Sequence, residues 1–147
     1  MLLVKTLVKE STISGLGLFA DELIKKGQRV WEFNPETCLV LTEKQLSLWL
    51  ESCQRSEKDI IRYYYLKHGY YEANRDAIVF CLDNSRFINT VLHPNVQSEP
   101  DVSVALRDIE KGEEITENYD AYDSALWYKN LDPVLLKKET TRKEVII

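Results

Sequence analysis

The chain has 147 residues, the size of one domain, with 44% hydrophobic and 29% charged residues, ordinary values for a soluble globular protein. At that length roughly 70% of the unfolded surface can be buried, so a core needs no metal or disulfide support. The formal net charge of −5 argues against duplex nucleic acid as the main partner, which calls for clustered Lys and Arg; it suits a basic peptide, because an acidic cleft concentrates a cation.

The opening stretch from Met1 to Val8 is interrupted by Lys5 and too short for a signal peptide. No apolar run approaches the roughly 20 residues of a membrane span, so no membrane association and an intracellular location, cytoplasmic or nuclear, are expected. Leu2 to Val8, Arg29 to Phe33 and Thr37 to Leu41 read as β-strands, with Asn34-Pro35 as a turn between the last two. Thr42 with Gln45 makes a capping-box pattern that starts a helix, with Leu46, Trp49, Leu50 and Cys53 on one face. Ser56 is a second candidate cap, followed by an apolar stripe of Ile60, Ile61, Tyr64 and Tyr65. Strands resume over Ala77 to Leu82 and Asp101 to Ile109, where Val102, Val104 and Leu106 alternate with Ser103, Ala105 and Arg107. Asp132-Pro133 is a reasonable helix start in the tail.

The three cysteines, Cys38, Cys53 and Cys81, contain no Cys-x-x-Cys pair, and the only histidines are His68 and His93. Neither a disulfide framework nor a metal site is indicated. Buried free thiols in a reducing compartment are the plain reading. One internal echo is present: Ala20, Ile24, Lys26, Gly27 and Val30 recur in the same spacing as Ala105, Ile109, Lys111, Gly112 and Ile115. Each copy reads as strand, Lys-Gly turn, strand, with Gly27 and Gly112 supplying the positive φ such turns favour.

Three segments could carry chemistry. In Gly15-Leu16-Gly17-Leu18-Phe19-Ala20, two glycines allow a sharp turn and a close backbone approach to a ligand. It is not a dinucleotide fingerprint, because Ala20 stands where the third glycine belongs; on its own it reads as a loop or bulge. In Arg86 to Asn95, Asn89 lies between Ile88 and Thr90, and a buried carboxamide there needs partners, from a ligand or from a loop it pins. The third segment, Gly112-Glu113-Glu114-Ile115-Thr116-Glu117-Asn118-Tyr119, ends in a tyrosine that taken alone reads as core packing.

In order and spacing these segments together resemble the SET-domain family, mostly protein lysine methyltransferases that use S-adenosylmethionine. The resemblance runs from about Ser14 to Tyr119. The family pattern Arg-Phe-x-Asn-His-Ser-x-x-Pro-Asn is matched at Arg86, Phe87, Asn89, Pro94 and Asn95, with Thr90 in place of the His and Val91 in place of the Ser. With Leu92 at the place of the family's zinc-binding Cys and no cysteine over residues 120–147, a compact form without the zinc-binding tail is expected.

The resemblance implies a mostly β (α+β) fold: several short antiparallel sheets, a small helical insert over about residues 42–71, and a knot-like C-terminal crossing of the Asn and Tyr segments. A single domain would span residues 1–131, followed by a tail over 132–147. It implies that Gly15, Leu16, Gly17, Leu18, Arg86, Phe87, Asn89 and Thr90 line the S-adenosylmethionine site, with Thr90 meeting the adenine through its backbone. Tyr119 would be the catalytic tyrosine, and Phe80, Tyr122 and Trp127 would wall a substrate channel. The implied reaction is methyl transfer to a lysine ε-amine of a basic protein or peptide. Thr90 and Val91 keep a second reading open, a SET-fold module that binds a peptide or the cofactor without catalysis.

Overall fold

The computed structural model describes residues 1–52 and 68–119. They fall into two compact units: residues 1–39 with 81–119, and residues 40–52 with 68–80. In chain order the strands are β1 (Thr6–Glu10), β2 (Leu16–Ala20), β3 (Arg29–Glu32), β4 (Cys38–Thr42), β5 (Gly69–Glu72), β6 (Ala77–Cys81), β7 (Asn89–Thr90), β8 (Val96–Glu99), β9 (Val102–Ala105) and β10 (Glu114–Glu117). Helix α1 (Glu43–Ser52) follows β4, and a 3-10 turn (Asn84–Phe87) precedes β7. The second expected helix from Ser56 and the tail from Asp132 lie outside the described residues.

Most of the first unit is organised by two sheets. One has the order β1-β2-β10-β7, the other β3-β9-β8. All pairings are antiparallel except β10 with β7, which run parallel with Thr116 opposite Asn89 and Glu117 opposite Thr90. The core between the strands is aliphatic: Leu18, Ile24, Val30, Ile88, Val96, Ile109 and Ile115 are buried together. Each such side chain is worth about 1.5–3 kcal/mol when removed from water.

The echo in the sequence is a reciprocal pairing in space. Ile24 and Ile109 exchange backbone hydrogen bonds of 2.9 and 2.8 Å. The amide of Gly27 donates to Ala105, and the amide of Gly112 donates to Ala20. Both glycines have positive φ, +80° and +89°, as their turn chemistry required. The two copies close on each other as a local two-fold, which buries Ile24 and Ile109 completely.

The N-terminal run is split rather than continuous. Leu3 donates to Val30 and Leu2 bridges Trp31 beside β3, whereas β1 proper starts at Thr6 and pairs with β2. One apolar stretch thus serves two sheets. In β9 the buried face is Ser103 and Ala105, while Leu106 is 41% exposed. Small residues take the close-packed side, and the Ser103 hydroxyl meets that of Ser98 at 3.2 Å, which offsets its burial.

In the second unit α1 starts with the expected capping box: the Thr42 amide donates to Gln45 Oε1 at 2.9 Å, and the Gln45 amide donates to Thr42 Oγ1 at 3.3 Å. Leu46 is buried, but Trp49 is 40% exposed, so the expected apolar face is not uniformly inward. Gly69–Glu72 is strand β5, paired with the fully buried β6 in a sheet of order β4-β6-β5. The expected helical insert therefore ends in a hairpin strand. Among the described residues, no helix is long and apolar enough to cross a membrane, and no group of His, Cys, Asp or Glu is placed to hold a metal ion.

Candidate active site

The site is built where β2, β7 and β10 meet in the first unit. The β1–β2 connection closes with the Ser11 amide donating to Gly15 at 2.8 Å, and Gly15 takes φ +49°. The second glycine does different work from the turn expected of it. Gly17 lies inside β2 opposite Lys9, and a Cβ there would collide with the Glu114 carboxylate, at 2.8 Å from Cδ, and stand 3.0 Å from Ser11 Cβ. A glycine within a strand marks a close approach by another group.

Asn89 gathers this region. Its Nδ2 donates to the carbonyls of Ser14 (3.2 Å) and Leu16 (3.1 Å) and to Glu114 Oε1 (2.8 Å). The Ser11 hydroxyl reaches the same carboxylate at 2.8 and 2.9 Å. The glycine turn, the Asn segment and the Tyr segment are thereby tied at one point. The acceptors gathered there are the exposed main-chain carbonyls of Ser14 and Leu16 and the half-buried Glu114 carboxylate.

Tyr119 is held by the residues on either side of Asn89. Its phenol donates to the Ile88 carbonyl, and its amide donates to Thr90 Oγ1 at 3.1 Å. The Val91 amide donates to the Glu117 carbonyl at 2.9 Å, so the parallel pairing continues without the hydroxyl expected at position 91. Behind the site, buried Asn95 locks β10. Its Nδ2 donates to the Glu114 carbonyl at 2.7 Å, and its Oδ1 accepts the Thr116 amide at 2.9 Å.

Other expected site residues are distributed differently. Leu18 is fully buried in the core and paired on both sides, with Val8 and Ile115. Arg86 donates to the carbonyls of Leu82 and Asp83 at 3.0 and 3.1 Å, and its guanidinium lies 4.6 Å from the Phe87 ring centre. These two brace the 3-10 turn that leads into β7. Phe80 is buried in the second unit, opposite Gly69. Tyr122 and Trp127 lie outside the described residues.

Sequence reasoning missed Ser11, Glu114 and the locking role of Asn95. Glu114 had one available signal, an acidic residue in a motif strand whose neighbour contains an unexplained glycine. Next to it, the Arg107 guanidinium holds the Glu113 carboxyl below the usual carboxylate range, helped by the Glu110 amide and the Asn95 carboxamide.

The family model of the SET domain matches residues 15–120, most of the chain. The chain belongs to the SET domain family. No curated protein sequence matches it. Among solved structures, a provisionally assigned histone methyltransferase of Plasmodium falciparum is similar with 19% identity and a TM-score of 0.54, over 86% of this chain and 98% of that one. The Neurospora SET domain protein DIM-5, a histone lysine methyltransferase, gives 18% identity and a TM-score of 0.52, over 80% of this chain and 52% of its own. Chaetomium thermophilum Polycomb repressive complex 2, autoinhibited and bound to S-adenosylmethionine, gives 20% identity and a TM-score of 0.60, over 96% of this chain and 17% of that one. At these identities the shared property is the fold: short, mostly antiparallel sheets with a small helix.

Proposed function

We propose that the chain is an S-adenosylmethionine-dependent methyltransferase acting on a lysine ε-amine of a protein or peptide. The observation that carries this reading is the Asn89 carboxamide bonded to the carbonyls of Ser14 and Leu16 while Ile88 and Thr90, its neighbours, hold Tyr119. The proposed binding residue and the anchors of the proposed reactive tyrosine thus lie in one three-residue stretch, Ile88 to Thr90.

These acceptors suit the cofactor. S-adenosylmethionine carries an α-ammonium and a sulfonium, and this region offers the Ser14 and Leu16 carbonyls and the Glu114 carboxylate, all acceptors. Gly15, Leu16, Asn89 and the Thr90 backbone would hold it, with Glu114 balancing its positive charge. When bound, it supplies an electrophilic methyl group on a positively charged sulfur.

The protein's task is then to deliver a neutral amine in line with that methyl. A free lysine has a pKa of about 10.4, so a dry approach that disfavours the ammonium is required. Tyr119, whose ordinary pKa is about 10, is a poor base at neutral pH. It suits orientation instead, its anchored ring presenting oxygen to the incoming nitrogen. Main-chain carbonyls near the methyl would contribute weak C–H···O contacts.

The fold shared with DIM-5 and with a complex bound to S-adenosylmethionine supports the reaction class. A related complex with H3K27me3 supports a basic, histone-like peptide and a nuclear setting, and the net charge of −5 agrees. The test is incubation with isotope-labelled S-adenosylmethionine and a panel of basic peptides and proteins, followed by hydrolysis and detection of N-methyl-lysine. Label on lysine is expected; its absence across the panel, with cofactor binding intact by calorimetry, would favour the non-catalytic module that Thr90 and Val91 suggest.

A further inference from the structure

We infer that Thr90 is a positioning residue for Tyr119, its hydroxyl holding the tyrosine's backbone amide. The inference rests on the proposed role of Tyr119 as the residue that orients the amine. Three observations carry it.

First, Tyr119 lies two residues beyond the end of β10, where regular pairing has stopped. A residue in that position keeps its backbone torsions only if something beyond the ladder holds it. The Tyr119 amide donates to Thr90 Oγ1 at 3.1 Å. Second, the phenol of the same residue donates to the Ile88 carbonyl. Tyr119 is therefore fixed at both ends to one three-residue stretch, at its backbone by Thr90 and at its ring tip by Ile88. Third, Thr90 is itself held in register, opposite Glu117 in the β7–β10 pair, and the next rung, Val91 to Glu117, is closed at 2.9 Å. A short β-branched hydroxyl on that strand has few rotamers and cannot reach far. It meets the amide that passes directly above it.

The departure at position 90 thus supplies an anchor for the reactive tyrosine. Its role is geometric: Thr90 acts through Tyr119, and the hydroxyl takes no part in proton transfer.

The test compares the parent with Thr90→Val, which keeps the β-branched shape and removes the hydrogen bond, and with Thr90→Ser, which restores the hydroxyl. Thr90→Ala serves as a second deletion if the valine variant folds poorly. Two readouts are taken on each. Amide hydrogen exchange at Tyr119, followed by NMR on 15N-tyrosine-labelled protein, should accelerate in the valine variant and slow again in the serine variant. Methyl transfer to a lysine peptide should lose about tenfold in kcat, the scale expected for one lost hydrogen bond, with KM for S-adenosylmethionine unchanged, and should recover with serine.

An active parent whose valine variant matches it in kcat, or in Tyr119 exchange, would overturn the inference and leave the proposed reaction standing. Equal loss in the valine and serine variants would also overturn it, because packing rather than the hydroxyl would then matter. A parent that transfers no methyl group would remove the proposed reaction and, with it, this role for Thr90.

Discussion

The carboxamide of Asn89 donates to the carbonyl of Leu16 at 3.1 Å, joining segments 73 residues apart. The same nitrogen reaches Ser14 and Glu114, so one side chain links the glycine turn to β10. Asn89→Ala should therefore weaken S-adenosylmethionine binding by about tenfold or more, since a charge-bearing ligand loses an acceptor and a pre-formed edge. Calorimetric titration of parent and variant checks this; equal affinities would remove Asn89 from the site.

Gly17 and Glu114 form a second coupled pair. A methyl at Gly17 would press on the Glu114 carboxylate and on Ser11. Gly17→Ala should cost about 1–3 kcal/mol by overpacking, and less in a Glu114→Ala background. Urea unfolding of the two single variants and the double variant measures the coupling. At Gly15, where φ is +49° and no atom lies within 4 Å of a Cβ, alanine should cost only the backbone strain of about 1–2 kcal/mol, independent of Glu114.

Asn95 is buried, and its side chain satisfies both the Thr116 amide and the Glu114 carbonyl. Asn95→Ala should destabilise the chain by roughly 2–4 kcal/mol, because two inward main-chain groups lose partners and a void opens. Denaturant midpoints at neutral pH report this. A cost under about 1 kcal/mol would mean β10 is held chiefly by its strand neighbours.

Acid should loosen the first unit in a predictable direction. Glu113 is lowered by its hydrogen bond from Arg107, and exposed Asp108 by the Lys26 amide and then the Lys25 ammonium. For both, the folded state binds protons less readily than the unfolded chain. Their contribution is present above the ordinary carboxylate range and fades as pH falls through the lowered values. Urea midpoints measured from neutral pH down to about pH 3 should decline less steeply in Glu113→Gln than in the parent. Parallel curves would contradict the role given to the Arg107–Glu113 pair.

The parts of the fold legible in the sequence are those where local chemistry and tertiary context agree. Thr42 with Gln45 announced a helix start that the structure contains, and Gly27 with Gly112 announced turns of positive φ. The spacing of Asn89 and Tyr119 pointed to a family; Asn89 lies on β7, which pairs with β10, and Tyr119 follows β10 by two residues, its amide bonded to Thr90. What stayed illegible was decided by partners distant in sequence. Ser103 can face inward beside Ala105 because Ser98 satisfies its hydroxyl. Tyr70 and Tyr71 form a strand because β6 offers an edge. Gly17 is needed for Glu114, far along the chain, and no local pattern carries that information.

In the proposed reaction the phenol of Tyr119 orients the incoming amine. Transfer of labelled methyl from S-adenosylmethionine to a lysine peptide should be measured for the parent and for Tyr119→Phe under saturating cofactor. A fall in kcat of about tenfold or more, with cofactor affinity unchanged, is the expected result for a group that orients the amine. A phenylalanine variant that transfers methyl groups at the parental rate, and in the parental number per lysine, would contradict it.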